Sequence, residues 1–177
     1  MKKIVTILTS VLLLIICIFS LTACSKVPTD YKDARTNLRK NGYSVIVSSN
    51  SEEAAELAYY ALQSVVSAFD DPSAISAGYS LLESFEEDFS DLTRDIDTCL
   101  VGISEEGDGE DMVLIVYFDD AKALSTNYDI FVSIFDLIKN NSFDADILLT
   151  DTNDLSYGKS KNVLYIGTKQ AFKDSKK

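Results

Sequence analysis

The alternation of two apolar periods between Asp30 and Asp174 sets the strongest limit on what this chain can fold into. Runs rich in β-branched residues, which suit a pleated and buried surface, indicate strands. Stretches in which apolar residues recur every three or four positions indicate amphipathic helices. Because both kinds of segment occur along one chain, the sequence predicts an α+β domain.

The helical periodicity begins after residues that are suited to cap a helix. Tyr31 follows Asp30, and the pattern that starts there stops at Asn41-Gly42, which suits a glycine C-cap. Asn50 has capping-box-like spacing to Glu53 and precedes the next pattern. Further helices are predicted from Pro72, after Asp119-Asp120 and over Lys169–Asp174. We interpret the Asp119-Asp120 carboxylates as helix caps rather than metal ligands, because carboxylates suit the positive end of the helix dipole.

The apolar stripe of the helix that begins at Pro72 is expected to lie in the core. It consists of Ile75, Tyr79, Leu82, Phe85, Phe89 and Leu92. Strands are predicted over Tyr43–Ser49, Thr98–Ser104, Met112–Phe118, Ile147–Thr150 and Val163–Gly167. The polar segment Asp151–Asn162 is predicted to be a loop with a turn at Tyr157-Gly158.

The order of strand, helical pair, hairpin, helix and strand matches the split βαβ plan of ferredoxin-like domains. It predicts an antiparallel or mixed sheet of four or five strands with helices packed on one face. In that plan the first and third strands lie parallel, joined by a right-handed crossover.

The first 24 residues have a composition that sets them apart from the domain. Lys2 and Lys3 are followed by an almost wholly apolar run over residues 4–19, and Leu21-Thr22-Ala23 precede Cys24. This segment resembles the signal peptide and lipobox of bacterial lipoproteins. The resemblance implies that Cys24 carries a diacylglyceryl group, with acyl chains such as palmitate, on its sulfur. It also implies cleavage before Cys24 and lipid anchoring at the extracytoplasmic face of the cell membrane.

A retained N-terminal membrane helix is the alternative, since about 20 apolar residues can span a hydrocarbon core. With a lipobox, residues 1–23 are the cleaved signal, 24–29 a lipidated tether and 30–177 the folded part. The 154 residues left after 23 are removed from 177 fit one domain.

Net charge excludes some partners. The signal holds two basic residues and no acidic ones, so the mature chain has 14 basic and 28 acidic residues and a net charge of −14. Nucleic-acid binding depends on cations that neutralise phosphates, so we predict no nucleic-acid partner. The whole-domain charge also predicts repulsion from anionic lipid headgroups, which leaves the acyl chains on Cys24 as the membrane attachment.

The chain has few side chains that could act as nucleophiles, general bases or zinc ligands. The chain has no histidine, which excludes Ser-His-Asp and Cys-His arrangements and the common zinc sites. After processing, Cys99 is the remaining free thiol, and its apolar surroundings predict a buried, inert side chain. Ser156 and Lys159 have S-x-x-K spacing, but they fall in a predicted loop without a K-T-G partner. We therefore predict no catalytic residue and no cofactor.

Acidic residues are dense in two places. One is a helix face with Glu83, Glu86, Glu87, Asp88 and Asp91, interpreted as a solvent-exposed surface, with a face that binds a cation or docks a partner as the alternative. The other is the hairpin link 105–111, where Glu106, Asp108 and Glu110 are the candidates for a cation site. The link is too short for a twelve-residue EF-hand loop, and Asp111 stands where that motif needs glycine. We predict no metal site there.

Three segments, NGYSV, VLIVYFDD and NVLYIGTKQAFKD, resemble small uncharacterised lipoproteins of Gram-positive type. That resemblance carries no catalytic or binding residue across. We predict a non-catalytic binding module of the cell envelope, with another envelope protein as its partner. The alternatives are a lipoprotein that binds a cation or small ligand and a carboxylate-dependent hydrolase.

Overall fold

The computed structural model describes residues 28–67, 71–87, 94–104, 111–140 and 155–176. The helices are α1 (Tyr31–Lys40), α2 (Ser51–Val66), α3 (Pro72–Glu87), α4 (Ala121–Asn140) and α5 (Lys169–Asp174). The strands are β1 (Tyr43–Ser48), β2 (Ile96–Ser104), β3 (Met112–Phe118), β4 (Leu155–Ser160) and β5 (Val163–Thr168). The predicted α+β class is confirmed. The predicted strand at Ile147–Thr150 lies outside the described residues.

One five-stranded sheet has the order β1-β2-β3-β5-β4, and all neighbouring strands are antiparallel. The antiparallel sheet is as predicted, but the split βαβ strand order is not. In that plan β1 would lie beside β3, whereas here β1 pairs with β2. The reason is that two helices, α2 and α3, connect β1 to β2. One helix after a strand brings the chain back, so that the next strand runs parallel to the first. A second helix reverses the chain direction again, so that the next strand runs antiparallel.

Helices cover both faces of the sheet, which corrects the prediction that they share one face. On the first face α2 and α4 pack against sheet side chains that include Cys99, Leu114 and Leu164, and α3 packs on α2 and α4 in the same core. On the second face α1 and α5 pack against side chains that include Leu100, Ile115 and Val163. Because successive strand residues point to opposite faces, each central strand contributes to both cores.

The central strand β3 shows the consequence of two covered faces. Every residue from Val113 to Phe118 is buried. An antiparallel strand with one solvated face would alternate between apolar and polar residues. The unbroken apolar run of this strand is explained by burial on both sides.

The predicted helix caps form. Asp30 accepts a hydrogen bond from the Lys32 N–H at 2.8 Å, and Gly42 has a φ of 83°, which favours glycine after a helix end. The Asn50 side chain accepts from the N–H groups of residues 52 and 53 at the start of α2. The Asp120 carboxylate accepts from the Lys122 and Ala123 N–H groups, both at 2.8 Å. Asp120 therefore acts as a helix cap, as predicted.

The prediction of a loop over Asp151–Asn162 is wrong for its described part, because Leu155–Ser160 forms the edge strand β4. The turn lies at Lys161-Asn162 rather than at Tyr157-Gly158, and Lys161 has a φ of 56°. Gly158 weakened the strand signal in the sequence. In the fold, a Cβ at Gly158 would lie 2.7 Å from ring atoms of Tyr165, so glycine makes room for that ring.

The predicted apolar stripe of α3 is confirmed at Leu82, which is buried, and at Ile75, which is half-buried against the core, but it is wrong at Tyr79. The side chains of Phe85, Phe89 and Leu92 lie outside the described part of the chain. Ala74, Gly78 and Leu82 are buried, whereas Tyr79 is 39% exposed. A Cβ at Gly78 would lie 2.5 Å from Cγ1 of Val66 in α2. The two helices thus approach closely at a position where α3 has no side chain. The large aromatic residue next to that point faces outward.

Candidate functional site

The lipidation residue predicted from sequence, Cys24, lies outside the described residues. So do the candidate cation ligands Glu106, Asp108 and Glu110. Of the predicted acidic helix face, Glu83 is described and is exposed. Within the described ranges, no group of three or more carboxylate or cysteine side chains is placed to hold a metal ion.

Cys99 is fully buried in the core beneath α2, as predicted. Burial raises the pKa of its thiol, because the low-dielectric core disfavours the thiolate. The thiolate is the reactive form of cysteine. Cys99 is therefore a packing residue in the folded domain.

The S-x-x-K pair is separated by the strand that carries it. Ser156 and Lys159 are three residues apart in β4, so their side chains point to opposite faces of the sheet. The ammonium group of Lys159 lies 3.7 Å from the centre of the Tyr128 ring in α4. This arrangement holds Lys159 in a cation–π contact and keeps it from the Ser156 hydroxyl.

An apolar cavity of about 30 Å³ lies between α2 and the sheet. Its walls include Leu62 and Val65 of α2, and Val101, Leu114 and Ile166 of the sheet. Pockets that hold small molecules have volumes of roughly 300 to 1,000 Å³. This space is a packing gap in the first-face core and is too small for such a ligand.

A polar cleft of about 470 Å³ lies where the segment predicted to be the tether enters α1. Pro28 and Thr29 of this segment form one side. The other lining residues are Asp33, Thr36 and Asn37 of α1, Ser160 and Lys161 at the end of β4, and Lys176 near the C-terminus. We call this the tether cleft. Its volume is within the range of small-molecule sites.

Side-chain hydrogen bonds hold the segments around the tether cleft together. The Asn37 amide donates to the Ser175 carbonyl at 3.1 Å, and the Asn41 amide donates to the Asp174 carbonyl at 3.3 Å. Asn162, in the turn beside Lys161, donates to the Phe118 carbonyl. These bonds fix α1, the C-terminal segment and the β4–β5 turn relative to the central strand.

Aromatic stacking gives the C-terminal side of this region its shape. The rings of Tyr165 and Phe172 are nearly parallel with centres 3.9 Å apart. The Lys176 ammonium group lies 3.5 Å from the centre of the Phe172 ring. The three residues form a column from β5 to the edge of the tether cleft, and the column positions Lys176 there.

The tether cleft offers binding chemistry. Two ammonium groups, from Lys161 and Lys176, and the Asp33 carboxylate supply charge, while Thr36 and Asn37 supply hydrogen-bonding groups. Beneath α1, Tyr117 is buried, and burial raises the pKa of its hydroxyl, with Asp30 and Asp33 adding to the effect. The lining of the cleft can therefore contact polar or charged groups.

The tether cleft is a site that the sequence did not predict. Its residues come from three segments of the chain, at positions 28–37, 160–161 and 176. No local spacing marks such a set. The basic residues of α1 and of the last ten residues could have indicated a local basic surface. The negative net charge of the whole chain pointed the other way.

The function of this chain has to be inferred from its own residues. No protein-family model, no curated protein and no solved structure matches the chain. Among the helices in the described ranges, none has the length and apolar character needed to cross a bilayer.

Proposed function

We propose that this chain is a lipid-anchored lipoprotein of the cell envelope whose α+β domain is a non-catalytic binding module on the extracytoplasmic side. The observation that carries the proposal is the position of the fold relative to the lipobox. The described domain starts at Pro28, four residues after Cys24, and the cap of α1 is Asp30. A lipid on Cys24 would therefore tether a folded domain through a very short link.

Binding is favoured over catalysis by the chemistry of the described surface. The tether cleft supplies charges and hydrogen-bonding groups, and the pair with catalytic spacing, Ser156 and Lys159, is split between two faces of β4. The thiol of Cys99 lies in the core. These features suit recognition of a partner at the membrane surface.

The anchor is tested by metabolic labelling with a palmitate analogue in a bacterial host, followed by mass measurement of the mature chain. We expect label on the wild-type chain and a mature N-terminus at Cys24 with a diacylglyceryl group. Cys24→Ala is expected to abolish both the label and the cleavage. Cys99→Ala is the matched control, because it removes a buried thiol and should keep both.

Label on the Cys24→Ala variant, or a mature chain without acyl groups, would overturn the anchor. A mature chain that keeps residues 1–23 would show a retained membrane helix instead. The binding role is tested by crosslinking in native membranes followed by purification of the chain. Recovery of one envelope partner in stoichiometric amount is expected, and a purified chain that turns over a substrate would contradict a non-catalytic role.

A further inference from the structure

Charge is separated between the two helical layers. Helices α1 and α5 carry six basic and two acidic residues, a net charge of +4. Helices α2, α3 and α4 carry eight acidic and two basic residues, a net charge of −6. The sheet lies between these layers. A strongly acidic chain thus has one basic face.

Five of the six basic residues of α1 and α5 are exposed, and the sixth, Arg35, is half-buried. Ala34, Leu38 and Ala171 are fully buried and turn toward the sheet. The residues exposed on the opposite sides of these helices include Lys32, Arg39, Lys40, Lys169 and Lys173. We call this surface the basic face.

The two helices of the basic face form one unit. The hydrogen bonds from Asn37 to the Ser175 carbonyl and from Asn41 to the Asp174 carbonyl join them. The Tyr43 hydroxyl also donates to the Asp174 carboxylate at 3.4 Å. The basic side chains therefore present a common surface, with Lys161 and Lys176 of the tether cleft at its edge.

The tether joins the domain at this face. Pro28 is four residues from Cys24, a distance of at most about 14 Å at roughly 3.5 Å per residue. The chain then enters α1 directly, after Asp30. Electrostatic attraction acts over a Debye length of about 8 to 10 Å at moderate salt. A lipid on Cys24 would thus hold the basic face within or near the range at which lipid headgroups act on it.

We propose that the basic face rests on the anionic lipid surface of the membrane to which Cys24 is anchored, with the acidic α2–α4 layer turned away. The proposal rests on the lipid anchor of the proposed function. The opposite charges of the two layers favour one orientation, because the headgroups attract one layer and repel the other. The membrane would then be a surface that orients the domain as well as a place of attachment.

The orientation is tested with the mature lipidated chain in vesicles, using a fluorophore at one of two neutral, exposed positions. Gln170→Cys places it on α5 of the basic face, and Ser64→Cys places it on α2. Cys99 should stay unlabelled because it is buried. Quenching by lipids with a nitroxide headgroup reports which label is near the membrane.

In vesicles that contain phosphatidylglycerol we expect stronger quenching at position 170 than at position 64. The difference should disappear in phosphatidylcholine alone and at 1 M salt, where the Debye length is about 3 Å. Lys32→Gln with Lys173→Gln should lower the ratio of docked to undocked chains on the order of tenfold. Lys122→Glu, an exposed α4 change with the same shift in net charge, should not lower it.

Equal quenching at both positions, or no dependence on phosphatidylglycerol, would overturn the orientation. Capture of an acidic protein in place of lipid by a photo-crosslinker at position 170 in cells would overturn it in favour of a protein partner. Failure of the lipid anchor can be distinguished from failure of the orientation, because an unlipidated chain would not associate with phosphatidylcholine vesicles at all. That result would remove both proposals, whereas firm association without orientation removes this one alone.

Discussion

Burial controls the ionisation of three side chains, those of Cys99, Tyr43 and Tyr117. In each of them burial is the main cause of a raised pKa, because the core disfavours the charged form. They differ in their partners. The Tyr43 hydroxyl donates to Asp174, whereas the buried Tyr117 hydroxyl has no hydrogen-bond partner among the described residues. For these side chains, burial favours the neutral form, and the hydrogen-bond partner determines how much a hydroxyl contributes to the free energy of unfolding.

Cys99 should be almost unreactive in the native domain. Its side chain is fully buried, so a thiol reagent can reach it only when the fold opens. For a fold of ordinary stability we expect the reaction at pH 8 to be on the order of 1,000-fold slower than in denaturant. The measurement is thiol titration of the mature lipidated chain, in which the Cys24 sulfur is blocked, with and without denaturant. Rapid reaction of one equivalent in the native state would contradict this placement.

Tyr117→Phe should leave the unfolding free energy unchanged or raise it by up to about 1 kcal/mol, because it removes a buried hydroxyl that has no hydrogen-bond partner in the described part of the chain. Tyr43→Phe is the control, since it removes the 3.4 Å hydrogen bond to Asp174. That variant should lower the unfolding free energy by about 0.5 to 1 kcal/mol. Both values come from denaturant unfolding. A larger loss for Tyr117→Phe than for Tyr43→Phe would show that the Tyr117 hydroxyl is satisfied.

Pairs of elements in this domain meet through specific small-residue contacts. The α2–α3 pair approaches at Val66 and Gly78, where a Cβ on residue 78 would lie 2.5 Å from a valine methyl. This contact also explains why Tyr79, the next residue, faces outward. Helix pairing is thus set by residue size at one point as well as by the apolar stripe.

Gly78→Ala should lower the unfolding free energy. The overlap with Val66 costs about 1 to 3 kcal/mol, and the better helix propensity of alanine offsets about 1 kcal/mol of this. In a Val66→Ala background the overlap is removed, so Gly78→Ala should become neutral or stabilising. A double-mutant cycle measures the coupling. Equal losses in the two backgrounds would contradict the close contact.

At the scale of the whole molecule, the buried ionisable groups make stability depend on alkaline pH. In the unfolded chain the cysteine and tyrosine groups ionise near pH 8.5 and 10, while in the folded chain the raised pKa values keep Cys99, Tyr43 and Tyr117 neutral. The folded state therefore retains protons that the unfolded state releases. The contribution of these groups to the unfolding free energy is fully present below about pH 8 and is lost as pH rises.

We expect the unfolding free energy to fall from about pH 8.5 upward, and more steeply above about pH 10. Each group adds a slope of about 1.4 kcal/mol per pH unit while only its unfolded form is ionised. Denaturant titrations between pH 7 and 11 measure the slope. Cys99→Ala with Tyr117→Phe should make the curve flatter. A wild-type curve that is level up to pH 11 would contradict these burial effects.

Much of the local structure was accessible from the sequence. The start of α1 at Asp30, the helix cap at Asp120 and the burial of Cys99 all depend on neighbouring residues, and the structure confirms them. The strand β4 was missed because Ser, Gly and Lys make Leu155–Ser160 polar. Its pairing depends on β5 and on the Tyr165 ring, which covers Gly158.

The α+β class, most element boundaries and the excess of acidic residues could be read from the order of the residues, because capping, periodicity and composition are local or summed properties. Folding in three dimensions set the strand order, since two helices between β1 and β2 reverse the chain twice. It also brought Asp33, Lys161 and Lys176 to one cleft and placed basic and acidic helices on opposite faces. These properties depend on contacts between distant segments, which no local pattern records.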